Sequence, residues 1–166
     1  MDVVRPRGSA PVLKLDPQER DLMRQLLAEM RTLLEADLPR ADDVTRRLFP
    51  DALDDPEEAA KFHELVGDEL RAGKLAAVEA VDGALGEDGS AELSLEPSEV
   101  HGLLSVLTDM RLAIGTRLGV TEETMQTELD PDDPEAPALA VLHWLGWVQE
   151  SVLAEINGRG GRWRWG

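Results

Sequence analysis

The sequence predicts an all-α protein: a helical bundle of four long helices plus short ones, arranged as a pseudo-two-fold repeat, with at most a minimal two-stranded β pairing. Three observations lead to this. Leucine-rich stretches carry apolar residues at three- and four-residue spacing, the period of a half-buried helix. Each long stretch opens close to an acid-proline step. Alternating apolar and polar residues, the signature of a strand, are confined to residues 12–15 and 92–95.

The first helix begins at Asp16-Pro17-Gln18-Glu19. Asp16 can cap, Pro17 suits the first helical position, and Glu19 completes a capping box. Leu22, Met23, Leu26, Leu27, Met30, Leu33 and Leu34 then share a face, and Pro39 ends the helix at Leu38. A short helical piece follows from Asp43 to Phe49. Asp55-Pro56-Glu57-Glu58 opens the second long helix, with Phe62, Leu65, Val66, Leu70, Ala76, Ala77, Ala80 and Val81 as its packing positions. Its Ala-rich second half invites close packing, and Gly73 marks the place for a bend or break, at about 1 kcal/mol in propensity. The third long helix runs from Glu96-Pro97-Ser98-Glu99 to Leu118 and stops at Gly119, a residue free to turn left-handed. The fourth spans about Glu135 to Ile156.

Residues 86–91, small and polar, divide two halves that resemble each other, about 12–85 and 92–156. A shift of 80 aligns Leu13-Lys14-Leu15-Asp16-Pro17-Gln18-Glu19 with Leu93-Ser94-Leu95-Glu96-Pro97-Ser98-Glu99, then Leu27 with Leu107, Met30 with Met110, Arg31 with Arg111 and His63 with His143. Self-similarity at fixed spacing is an architectural signal. It predicts that residues 12–15 and 92–95 pair side by side, because neither four-residue strand is stable alone. The domain organisation expected is one helical domain over 1–156 and a flexible Arg/Trp/Gly tail over 157–166.

Composition narrows the chemistry. The chain has 166 residues, 34 acids, 17 bases and a formal charge of −17. Residues 41–100 alone carry 17 acids against five bases, net −12; such a pole is a solvated helix surface or a docking face for a basic partner. The absence of cysteine excludes disulfide frameworks, thiolate metal sites and cysteine nucleophiles, and suits a reducing compartment. With no apolar run near the length of a membrane span and no secretory leader pattern at residues 1–6, the expectation is a cytoplasmic protein without membrane contact. The three histidines, His63, His101 and His143, lie in neither His-Glu-x-x-His nor Glu-x-x-His spacing. Asp130-Pro131-Asp132-Asp133-Pro134-Glu135 has two prolines and no glycine at its sixth position, so capping by Asp133 accounts for it better than a calcium loop. Phosphate-cradle and nucleophile-elbow motifs are absent, and no general base can be nominated. No catalytic, cofactor or metal residues are assigned.

Three candidate sites remain. Arg111 falls within the apolar stripe of the third long helix, near Val100, Leu104, Leu107 and Leu118; it is either paired with an acid of a neighbouring helix or holds an anionic ligand. His143, Trp147 and Glu150 lie on the more polar flank of the fourth helix, opposite Leu142, Leu145, Val152, Leu153 and Ile156, where a tryptophan is either covered internally or an interface anchor. The tail interleaves Arg159, Arg162 and Arg164 with Trp163 and Trp165, a cation-and-ring pattern shared by single-strand binders and by plain disordered termini.

The string Arg46-Arg47-Leu48-Phe49-Pro50-Asp51-Ala52, followed by Asp55-Pro56-Glu57 and the helix from Phe62 to Leu70, resembles the central signature of an actinobacterial family known as a domain of unknown function (DUF 2017). Trp144-Leu145-Gly146-Trp147-Val148-Gln149-Glu150-Ser151 is similar to its C-terminal helix, and the resemblance covers about residues 1–156. Members are often encoded beside the Clp protease adaptor ClpS and have been described as transcriptional regulators; some resemble oxidation sensors that use a cysteine pair. Without cysteine, that switch does not carry over here. The resemblance implies a cytoplasmic regulatory or adaptor role exerted on a protein partner of the transcription or proteolysis machinery, with no cofactor. The alternative is a DNA-binding regulator using Arg46, Arg47 and the tail arginines. Asp51, Asp54, Asp55, Glu57 and Glu58 follow at once and repel phosphate, which argues against nucleic acid. The partner and the oligomeric state are not encoded in any motif.

Overall fold

In the computed structural model the described residues are 1–36, 42–49, 55–126 and 130–158, and the side chains of 59, 63–65 and 124 are also outside the description. These residues form three short strands and six helices: β1 (Asp2–Val4), β2 (Val12–Leu15), α1 (Pro17–Glu35), α2 (Asp43–Leu48), α3 (Pro56–Ala84), β3 (Ala91–Ser94), α4 (Pro97–Leu118), α5 (Glu122–Gln126) and α6 (Ala136–Ile156). The protein is mostly helical, and its small sheet is antiparallel in the order β1-β2-β3.

The expected pairing of 12–15 with 92–95 is present, in the register Val12↔Ser94, Leu13↔Leu93, Lys14↔Glu92 and Leu15↔Ala91. Period-2 alternation explains the register: Leu13, Leu15, Ala91 and Leu93 are all buried, while Lys14 and Glu92 meet on the other face at 3.2 Å. The sequence reading missed β1, which pairs Val3 with Leu13 and Val4 with Val12. Three residues are too few to show an alternation.

Local chemistry sets the helix starts. Asp16 Oδ1 accepts from the Glu19 N–H at 2.8 Å and Glu19 Oε2 from the Asp16 N–H at 2.9 Å, a complete capping box ahead of α1. Asp42 accepts from the Val44 and Thr45 amides and so begins α2. Asp55 accepts from Glu57 at the start of α3. At the end of α4, Gly119 adopts φ +64°, the left-handed cap expected of it. At α6 the expectation needs correcting. The cap residue is Glu135, without a side-chain hydrogen bond, and Asp133 instead holds a turn by accepting from the Glu135 amide.

Other corrections concern extents and faces. α1 ends at Glu35, and Leu38 lies outside the described residues. α3 runs unbroken through Gly73, since one glycine costs less than interrupting a 29-residue helix that packs against α1 and α4. Leu70 is 45% exposed and Ala76 and Ala80 are exposed, so among its described side chains the buried side of α3 narrows to Val78 and Val81, with Leu85 just beyond its end; the predicted packing position Leu65 lies outside the described side chains.

α4 is the central element, touching α2, α3 and α6. Its Val100, Leu103, Val106, Leu107 and Met110 meet Met23, Leu27 and Met30 of α1, the inner face of the sheet and Leu145, Val148 and Val152 of α6 in one continuous core. Polar clamps tie the elements around it. Lys74 of α3 bonds both carboxylate oxygens of Asp109 of α4, at 3.0 and 2.9 Å, with Asp109 only 7% exposed. Arg24 and Arg31 of α1 both reach Asp82 of α3. No helix is long and apolar enough to cross a membrane, among the described residues.

Candidate functional site

The helical period of α6 places Leu142, Leu145, Val148, Val152 and Ile156 on one side, and all five are buried. Trp147 falls opposite them and is 50% exposed. Of the residues predicted to share its flank, Glu150 is exposed and His143 half-buried. Ser151, one turn on, spends its hydroxyl on the Trp147 carbonyl at 2.7 Å. Leu153, expected on the core side, is 37% exposed; it lies about 80° around the helix from the centre of the buried stripe. This face therefore presents one large ring to solvent, and the aligned position in the first half, Gly67, carries no side chain.

The second locus joins two candidates that the sequence treated separately. Arg46 and Arg47 of α2 line the same groove as Arg111 of α4, a concavity of about 1290 Å³ bounded also by α5 and by Leu142 and Gln149 of α6. α2 is short, but Val44 and Leu48 are buried and dock it beside α4. Arg46 and Arg47 occupy its last turn, where a cation opposes the negative helix end. Arg46 bonds Asp43 one turn earlier. Arg47 is exposed and meets no carboxylate among the described residues.

Arg111 is more constrained. Its Nη1 donates to Gln149 Oε1 at 2.8 Å, and Gln149 Nε2 in turn donates to Thr108 Oγ1 at 2.8 Å. Its Nε is buried without a hydrogen-bond partner. The guanidinium lies against α6 where Gly146 leaves room: a Cβ on Gly146 would stand 3.5 Å from Nη2 and 3.7 Å from Nε. The expected acid on a neighbouring helix is not there among the described residues; a neutral amide answers the charge instead. Gln149 and Thr108 were missed in the sequence, although Thr108 precedes Arg111 by three residues on the same helix and so shares its face.

The tail arginines Arg159, Arg162 and Arg164, with Trp163 and Trp165, lie outside the described residues. Among the described residues no group of three or more His, Asp or Glu is placed to hold a metal ion. Phe49, just past α2, receives Arg71 at 6.0 Å and Lys74 at 5.8 Å from its ring centroid, which anchors the end of α2 on α3. A second groove of about 550 Å³ runs between α1 and α4, floored by Leu26, Met30, Met110 and Ala113.

A family described as a domain of unknown function, DUF2017, matches residues 1–156. No curated protein and no solved structure matches the chain.

Proposed function

The chain belongs to the DUF2017 family, and from that premise we propose that it is a non-enzymatic cytoplasmic regulator or adaptor that acts by contact with another protein, a component of the transcription machinery or of a proteolysis complex. The observation that carries this reading is Trp147, half exposed on a helix whose opposite side fills the core. Tryptophan is the side chain most enriched among binding hot spots, and half its ring in water is a cost that a partner surface would relieve. His143 and Glu150 supply polar contacts beside it, matching an apolar anchor rimmed by polar groups. The test is affinity capture from the native cytoplasm with the wild-type chain and Trp147→Ala in parallel. A partner retained by the wild type and lost by a folded Trp147→Ala supports the reading; identical capture by both refutes it.

The DNA-binding alternative would use Arg46 and Arg47. One of them is engaged by Asp43, and the described acids Asp55, Glu57 and Glu58 are exposed close by in sequence. The charge of −17 opposes a polyanion at any distance within the screening length. The same proposal treats the chain as a four-long-helix bundle of two related halves. Support comes from the pairing of β2 with β3, each leading into a helix with proline at its first position, and from the contacts of α1 with α3 and α4 with α6.

A further inference from the structure

Five described arginines are not exposed: Arg20, Arg24, Arg31, Arg71 and Arg111. Arg20 pairs with Asp21 at 2.6 Å, and Arg24 and Arg31 pair with Asp82. Arg71 packs on the Phe49 ring. Arg111 alone among them has neither a carboxylate nor a ring among the described residues, in a chain where acids outnumber bases two to one. A partly desolvated guanidinium held by one neutral amide is an uncompensated charge, and an anion is the partner that relieves it.

The groove over Arg111 adds Arg47, a second cation without a carboxylate among the described residues, while Arg46 and Asp43 cancel each other. Glu122 offsets one positive charge, so the described lining is net positive by one in a strongly acidic protein. Such local charge suits a single oxyanion head and not a polyanionic strand. The rest of the described lining is mixed: Leu112, Val120, Met125 and Leu142 supply its apolar side chains, among polar Thr116 and Gln126. A concavity of about 1290 Å³ that brings two arginines and four apolar side chains into one lining suits a small amphiphilic molecule.

We propose that the groove between α2, α4, α5 and α6 binds a small organic oxyanion, its carboxylate or phosphate-ester head on Arg111 and Arg47 and its apolar body against Leu112, Val120, Met125 and Leu142. This site goes beyond the docking face at Trp147, which lies on a different side of α6. Ligand occupancy would bridge α2 to α4 and α6, the elements that the arginines and Gln149 join around the groove.

The full chain is titrated with phenyl phosphate, phenylacetate, inorganic phosphate and benzyl alcohol, followed by amide NMR shifts at Gly115, Gly119 and the Gln149 side chain. Saturable shifts centred there are expected from phenyl phosphate or phenylacetate, the stronger of the two identifying the head group. Inorganic phosphate should bind at least about tenfold more weakly, and benzyl alcohol should give no saturation. Arg111→Gln should weaken the aromatic anion about tenfold or more, and Arg47→Gln, at an exposed position, should weaken it several-fold with an unchanged melting temperature. If Arg111→Gln does not fold, Arg47→Gln decides. Trp147→Ala should bind the anion as the wild type does, so that failure of the docking reading and failure of this one are separable. The proposal is overturned by no saturable shift up to about 20 mM of either aromatic anion, by shifts centred elsewhere, by wild-type affinity in Arg47→Gln, or by inorganic phosphate binding as tightly as the aromatic anions.

Discussion

Replacing Trp147 by alanine separates a surface anchor from a core residue without knowledge of any partner. A fully covered tryptophan buries up to about 250 Å². At 50% exposure about half of that is covered here, and roughly a third of the covered part lies near the Cβ and backbone that alanine retains, leaving about 80 Å² lost. At ~25 cal/mol per Å² the loss is about 2 kcal/mol. Alanine returns about 0.5 kcal/mol through its better helix propensity, and an open surface leaves no enclosed cavity to add to the cost. The expected destabilisation is therefore about 1–1.5 kcal/mol. Leu145→Ala, at a position 0% exposed on the same helix, should cost about 2–5 kcal/mol and serves as the internal standard. Urea melts of the three proteins read the difference as a shift in midpoint at unchanged slope. A Trp147→Ala loss equal to that of Leu145→Ala would refute the surface assignment and remove the named site of the adaptor reading.

Asp16→Ala, which deletes one arm of the capping box, should cost about 1 kcal/mol in the same melts; no measurable change would show that the Met1 amine and the residue 16 amide on Glu19 suffice to hold this end of the fold. Asp109→Ala leaves the Lys74 ammonium without its carboxylate between α3 and α4 and should cost about 3 kcal/mol, whereas Lys74→Met combined with Asp109→Leu should cost less than the single change. The opposite order would mean that the pair contributes net stability. A chain with glutamine at Arg159, Arg162 and Arg164 should give no gel shift of duplex DNA at physiological salt, because its remaining surface is acidic. A submicromolar, sequence-specific complex would move the DNA-binding alternative into first place.

Much of the fold was legible because its signals are local. Asp-Pro-x-Glu at 16–19 and Gly119 each act on backbone groups within a turn of themselves, so their consequences follow from the string alone. The β2–β3 pairing was also legible, since the alternating apolar residues of 12–15 and 92–95 must share a cover. What failed was non-local. The exposure of Leu70 depends on what packs against that stretch of α3, and its own periodicity does not contain that information. For the same reason Arg46, Arg47 and Arg111 were found individually but not as one groove; 64 residues separate Arg47 from Arg111, and only the docking of α2 on α4 brings them together. The choice of an amide in place of an acid for Arg111 was equally hidden, because acids are abundant and any of them was a plausible partner in the string.

The comparison of halves, on the two-half reading proposed above, shows where the two candidate sites arise. Arg31 and Arg111 occupy aligned positions, each after a methionine. Arg31 reaches Asp82, near the C-terminal end of α3, at 3.6 Å. The same shift makes Arg162 the counterpart of Asp82, and α6 has already ended at Ile156, the counterpart of Ala76. The acid that answers the arginine in the first half thus has no equivalent in the second, and Gln149, the counterpart of Glu69, takes up the guanidinium instead. Trp147 replaces Gly67 in the same stretch. Positions that only hold the bundle together should remain alike in both halves, as Leu13 and Leu93 or Met30 and Met110 do, because each faces the same packing problem. An uncompensated guanidinium and an exposed indole solve no packing problem, and both lie where α4 and α6 depart from α1 and α3. On the two binding readings proposed above, the second half supplies Trp147 and Arg111, and the first half adds Arg47 from α2.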